Sequence, residues 1–392
     1  MAMPKGIHVS TFVKALFLSG SKAPPQPEDI GEQYLKELVD RNSVQVAKRR
    51  SDGKGVKTCQ IHDLFRDLCI SESNKPDNNS KNARKLSFLS NIGSYACSVT
   101  CDLSSTCALF VYIPEDCQVN VIYFADGFTD LNEYLKELKI LRYLRMEFLD
   151  TFGLSKLESL ETCYVIFNEK DLSIGGLKQL RHFRSELGVN ILVDEEGVKD
   201  KMQNIQSLCY VSADSHLGSL LSNGFFPNLR KLGLRIDKEQ DSAEENLRSL
   251  HSLHNLRKLG LRFEECWVPL DRIAFPSNLM KITLSGFKDL NSKDMNTLGR
   301  IPSLQILKLM QGSCEEETLY CGTAGSFLRL QVFVMDGLKI KCLTAEEGAM
   351  PRLQRAVFYN CNDLKEVPKQ MRSLGSNLEF LEYDIYGGLS LG

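Results

Sequence analysis

Leucines recur every 19 to 27 residues from Leu141 to Leu378, and no other feature constrains the fold as strongly. The repeats begin at Leu141, Leu160, Leu180, Ile205, Leu229, Leu256, Leu279, Leu304, Leu330, Leu353 and Leu378. Two copies, Leu229-Arg-Lys-Leu232-Gly-Leu234 and Leu256-Arg-Lys-Leu259-Gly-Leu261, read L-x-x-L-x-L. A period of roughly 20–29 residues with that core marks leucine-rich repeats. Each repeat supplies one short strand and a return segment. Neither buries its apolar side alone, so neighbours stack into a solenoid and share a core. The expectation is an α/β fold, an irregular leucine-rich-repeat solenoid over residues 83–392. The irregularity shows at the ninth repeat position. It holds Asn168 and Cys361 in two repeats but Gly188, Glu264 and Phe287 in others.

Residues 1–70 do not follow the repeat. Glu28–Arg41 reads as a helix, with Ile30, Tyr34, Leu35, Leu38 and Val39 on one face. Pro27 suits its first turn, and Glu28 and Asp29 suit the positive end of its dipole. Ser43–Ala47 alternates like a strand, Ser51–Gly55 makes a turn, and Val56–Ile61 returns as a second strand. Asp63 is placed to cap a following helix that carries Leu64, Phe65, Leu68 and Cys69. Helix, hairpin, helix outlines a partial winged-helix module. The polar run at 71–82 reads as a linker, and Lys85–Leu89 and Ala108–Tyr112 as irregular first repeats.

A formal charge of −2 gives no global pull toward nucleic acid or acidic membranes. Lys48-Arg49-Arg50 sits at the wing, but the preceding helix mixes Glu32, Lys36, Glu37, Asp40 and Arg41, which does not suit a phosphate backbone. The 13 cysteines are odd in number and contain no C-x-x-C pair, so reduced thiols in the cytoplasm are expected, with no metal site. No apolar run reaches transmembrane length, and Lys14 interrupts Thr11–Gly20. The expected location is cytoplasmic, with peripheral membrane association compatible. No catalytic constellation is present, and no enzyme activity is expected.

Gly31–Gly53, followed by Val56-Lys-Thr-Cys-Gln-Ile-His-Asp-Leu-Phe-Arg-Asp-Leu-Cys69, resembles the end of the NB-ARC nucleotide-binding module of plant coiled-coil NB-ARC leucine-rich-repeat (NLR) disease-resistance proteins. Ile61-His62-Asp63 stands where that family has Met-His-Asp. The resemblance implies that His62 reaches the β-phosphate of bound ADP and that Asp63 helps hold the closed state. No G-x-x-x-x-G-K-[ST] run occurs, so the cradle for ADP or ATP is incomplete and no cofactor is expected in this chain. The resemblance therefore implies the C-terminal part of such a receptor, or a truncated paralogue. Its expected partners are a pathogen effector or a guarded host protein, and a receptor's nucleotide-binding module. A leucine-rich-repeat adaptor without receptor activity is the alternative.

Within L-x-x-L-x-L, residues beside the leucines point away from the core. Lys231, Arg235, Lys258, Arg262 and Lys281 are expected to form a basic belt that docks an acidic partner surface. Ile306, Met310, Val332, Val334, Val357, Tyr359 and Phe380 are expected to form an exposed apolar stripe that meets a ligand.

Overall fold

The computed structural model describes residues 27–49, 55–61, 86–89, 108–111, 122–124, 127–129, 141–147, 154, 157–166, 171–193, 201–237, 243–312, 314, 317–383 and 389–391. The chain packs as two compact units. One comprises Met1–Glu147 with Ser159–Thr162, the other Phe148–Glu158 with Cys163–Gly392.

In the first unit, helix α1 (Pro27–Asp40) precedes an antiparallel hairpin of β1 (Val44–Arg49) and β2 (Val56–Ile61). Asn42, at φ 55°, ends the helix in a left-handed turn, and the Ser43 amide donates to the Leu38 carbonyl at 3.0 Å. Asn tolerates that conformation better than most residues. Leu35 and Val44 are buried together, with Leu38, Val39, Val56 and Cys59 packed against them. Strands β3 (Leu86–Leu89) and β4 (Ala108–Val111) pair in parallel, and β4 pairs in parallel with β7 (Tyr143–Glu147). A small hairpin, β5 (Ile122–Phe124) and β6 (Gly127–Thr129), lies between them in sequence.

The second unit is the regular part. Its main sheet runs in the order β8 (Thr162–Ile166), β10 (His182–Ser185), β12 (Ser207–Ser212), β13 (Lys231–Asp237), β14 (Lys258–Glu264), β15 (Lys281–Ser285), β16 (Ile306–Met310), β18 (Val332–Asp336), β20 (Arg355–Tyr359), β21 (Leu378–Tyr383) and β22 (Leu389–Leu391). From β10 to β21 the pairing is parallel; β22 turns back antiparallel on β21. Return segments carry two short parallel ladders, β9 (Asp171–Ser173) with β11 (Asn190–Leu192) and β17 (Thr318–Tyr320) with β19 (Cys342–Thr344). They also carry helices α2 (Ser215–Ser222), α3 (Ala243–Arg248), α4 (Ser292–Gly299) and α5 (Lys369–Arg372).

The core lies between sheet and return segments. The repeat leucines Leu229, Leu256, Leu279, Leu304 and Leu330 are fully buried. Two rows of strand residues, Leu232-Leu259-Ile282-Leu307-Phe333 and Leu234-Leu261-Leu284-Leu309-Met335-Phe358, run across the sheet in register and are buried as well. Each such side chain contributes about 1.5–3 kcal/mol by burial.

Asparagines stitch neighbouring repeats. Asn204, Asn228, Asn255 and Asn278, each just before a repeat leucine or isoleucine, donate to the carbonyls of Lys178, Gln203, Pro227 and His254 at 2.9 Å. A hydrogen bond of this kind is worth about 0.5–1.5 kcal/mol.

Helix α4 is anchored by Asp294. Asn291 accepts from the Asp294 amide at 3.2 Å, while Asp294 Oδ2 accepts from the Asn291 amide at 3.3 Å. Asp294 Oδ1 also accepts from the Leu270 amide at 3.0 Å, which ties the helix to the preceding return segment.

Candidate functional site

The side of the sheet opposite the core carries three rows set by register. The first runs Lys231, Lys258, Lys281, Ile306, Val332, Arg355. The second runs Gly233, Gly260, Thr283, Lys308, Val334, Val357, Glu379, and the third Arg235, Arg262, Ser285, Met310, Asp336, Tyr359, Leu381.

The five belt residues are therefore brought together: three lysines in one row and two arginines in another. Lys231, Lys258 and Arg262 are exposed; Arg235 and Lys281 are half-buried. The arginines carry their own carboxylates. Arg235 Nε meets Asp237 Oδ1 at 3.0 Å, and Arg262 Nε meets Glu264 Oε1 at 2.6 Å. A residue two positions along a strand shares its face, so these pairs follow from the period. The lysine row adds three more positive charges to the same face.

Between the lysine and arginine rows lies a cleft of about 170 Å³ whose floor is Gly233 and Gly260. At one end stands Arg184, which the sequence reading did not single out. Its guanidinium lies over the rings of Tyr164 and Tyr210, 5.5 and 5.1 Å from their centroids. Tyr210, at φ 58°, sits where the β12–β13 register slips between Leu208 and Val211, and this bulge turns its ring toward Arg184.

The apolar stripe needs correction. Val332, Val334 and Val357 are 5%, 3% and 2% exposed and form a cluster with Leu381, against which Ile306 and Tyr359 pack. They are a second core, not an open surface. Met310 is half-buried. Phe380 lies on the other side of the sheet. Its register partner is Phe358, a core residue, and the two rings stack at 5.1 Å. Leu378 pairs with Ala356, so it occupies the fourth repeat position and not the first. A shift of three along a strand reverses the face.

Asp336 borders the apolar cluster and is buried. Burial raises its pKa above the ordinary carboxylate value, while a hydrogen bond from Asn360 and the charge of Lys308 pull it down. Because the folded value is the higher one, the stability this group contributes is full below the unfolded carboxylate pKa. It is lost as pH rises through the folded value. Asp336→Asn is expected to melt higher than the parent at neutral pH and to show no such loss. Melting curves of parent and variant recorded from about pH 4 upward check it; a gap between them that narrows as pH rises through that window would contradict the sign.

Three of the described thiols are poor nucleophiles. Burial pushes Cys163 and Cys314 up to about 12 and raises Cys321 further, which keeps all three protonated. Among the described residues no group of His, Cys, Asp or Glu could hold a metal ion, and no helix is long and apolar enough to cross a membrane. His62 and Asp63 lie outside the described residues. With no G-x-x-x-x-G-K-[ST] run in the chain, the residues present do not compose a nucleotide cradle.

A family model described as the winged helix domain of disease resistance proteins matches residues 9–69, which include α1, β1 and β2. A putative late blight resistance protein homologue of Solanum demissum is 23% identical over 91% of this chain and 32% of its own length. Disease resistance protein RPP13 of Arabidopsis thaliana is 26% identical over 89% of this chain and 45% of its own length. A solved leucine-rich-repeat protein of Leptospira interrogans covers 63% of this chain and 86% of its own, at 14% identity and a TM-score of 0.24. The chain thus carries a disease-resistance-type winged helix ahead of leucine-rich repeats. It is related along about nine-tenths of its length to plant proteins named for disease resistance. It spans less than half the length of these two plant relatives.

Proposed function

We propose that this chain is the winged-helix and repeat portion of a plant immune receptor. In that role it recognises a pathogen effector, or a host protein that an effector modifies, and restrains a nucleotide-binding switch until that ligand arrives. The observation that carries the reading is the order of parts: a winged helix matched to disease resistance proteins, followed by repeats related to the same class of plant protein. The strand face supports a binding role, because it displays charge in rows where a purely structural sheet needs only solubility. Lys231, Lys258 and Lys281 would dock on an acidic surface of the nucleotide-binding module. Exposed charge pairs are worth about 0–1 kcal/mol each, so a handful gives a hold that a ligand can break. In the full-length receptor His62 would contact the nucleotide phosphate and Asp63 would cap the helix that positions it.

The test joins this chain to the amino-terminal part of a full-length relative and expresses it in leaves. Lys231→Glu with Lys258→Glu is expected to cause cell death without a pathogen. Silent leaves, with the double variant at normal abundance, would remove the restraint from the reading.

A further inference from the structure

We propose that the cleft over Gly233 and Gly260 binds a phosphomonoester dianion, presented as a phosphorylated serine or threonine of a partner protein. The inference deepens the reading of the strand face as a protein-binding surface, on which it rests, by naming the group the face would grip.

The two glycines differ in what the fold asks of them. A Cβ on Gly233 would come within 3.1 Å of the Tyr210 amide nitrogen and 3.3 Å of Cys209 Cα, so the backbone of the β12 bulge crowds any side chain there. A Cβ on Gly260 would meet nothing nearer than Gly233 Cα at 3.8 Å, which is ordinary contact. Its register neighbour Thr283 carries a side chain, and its backbone is not left-handed. Packing therefore gives no reason for glycine at 260, although a strand glycine costs about 0.5–1 kcal/mol. A glycine of this kind marks a place where something outside the sheet approaches the backbone.

What lines the opening is cationic. Lys231, Lys258 and Lys281 lie on adjacent strands roughly 4.8 Å apart, so their backbone positions fall along about 10 Å of one wall. Thr283 adds a hydroxyl and Ser285 another, which reaches the Leu261 carbonyl at 3.5 Å, and Arg184 closes one end with a guanidinium held by two tyrosine rings and paired with Glu186 Oε1 at 3.4 Å.

Size and charge then select the ligand. About 170 Å³ is well below the roughly 300–1,000 Å³ of pockets that enclose whole small molecules. The cleft admits a charged group and the few atoms that carry it, the tip of something larger. A phosphomonoester brings about −1.5 to −2 charges and three acceptor oxygens, which matches a lysine row with flanking hydroxyls. A carboxylate brings a single charge and two oxygens. The adjoining face favours a protein source over a lipid headgroup, since Val332 and Val334 are buried and offer nothing to a bilayer.

The test uses the full chain and a short labelled Gly/Ala peptide carrying one phosphoserine, with serine and aspartate counterparts, read by fluorescence anisotropy. The phosphopeptide is expected to bind about tenfold tighter than either counterpart, a difference of roughly 1.4 kcal/mol. Inorganic phosphate should displace it. Gly260→Thr, which fills the floor with the side chain already tolerated at 283, should abolish this preference without lowering the melting temperature. Lys258→Gln, a change at an exposed side chain, should do the same and decides the matter if Gly260→Thr does not fold. Four outcomes overturn the proposal: equal binding of the aspartate peptide, a preference that survives Gly260→Thr, failure of inorganic phosphate to displace the phosphopeptide, and binding only to vesicles containing phosphatidylinositol phosphate. Each would leave the leaf assay of receptor restraint untouched, so the two readings fail separately.

Discussion

Val334→Asp is expected to cost about 3–5 kcal/mol of folding stability, although its position reads from sequence as the solvent side of a strand. Val334 is 3% exposed, within the cluster of Val332, Val357 and Leu381. A carboxylate there loses its water and has only the cross-strand Lys308 as a counter-charge, so desolvation dominates over any change in strand propensity. The loss should shrink as pH falls and the introduced carboxyl takes a proton. Val334→Thr should cost far less. Chemical denaturation followed by circular dichroism measures all three. A Val334→Asp protein as stable as the parent would mean that this face is open, and the ligand stripe inferred from sequence would stand after all.

Asp294→Ala should cost about 2–4 kcal/mol, the larger share from stranded amide donors and the rest from the lost cap. Asp294 is 3% exposed and satisfies the amides of both Asn291 and Leu270. Removing it leaves those donors without their carboxylate and frees the start of α4 from the return segment before it. Asp294→Asn keeps one acceptor oxygen and should recover part of the loss. A change below about 0.5 kcal/mol for Asp294→Ala would show that water replaces the carboxylate without penalty.

The leucine pattern made the sheet legible because it is a packing pattern. Strands begin two residues after the repeat leucine at Leu229, Leu256, Leu279, Leu304, Leu330 and Leu353 alike. The rule fails at Leu378, which opens its own strand, because Gly375 fills the first repeat position there. One misplaced repeat was enough to put Phe380 on the wrong face. The lysine row was readable for the same reason as the core: both follow from register. What the sequence did not disclose was burial on the second face. Val332 and Val334 look alike whether water or protein lies over them, and alternation alone does not distinguish the two. The carboxylates at Asp237 and Glu264 and the asparagines before Ile205, Leu229, Leu256 and Leu279 were in plain view. They were missed because attention to leucines leaves polar periodicity unread. Arg184 depends on a bulge at Tyr210, which has no local signature.

The reversal at β22 bears on how copies of this protein behave when crowded. A parallel sheet of stacked repeats ends in a strand whose outer amides and carbonyls would accept another chain. Here Leu389–Leu391 folds back and occupies that row against Leu381, Glu382 and Tyr383. The new rim is three residues long and runs in the opposite direction. An identical molecule arriving end-on finds too short a template, of the wrong polarity, to extend the array. Growth of the array by strand pairing is thus disfavoured at this rim, which leaves side-chain surfaces as the means by which this end meets a partner, where specificity can be encoded.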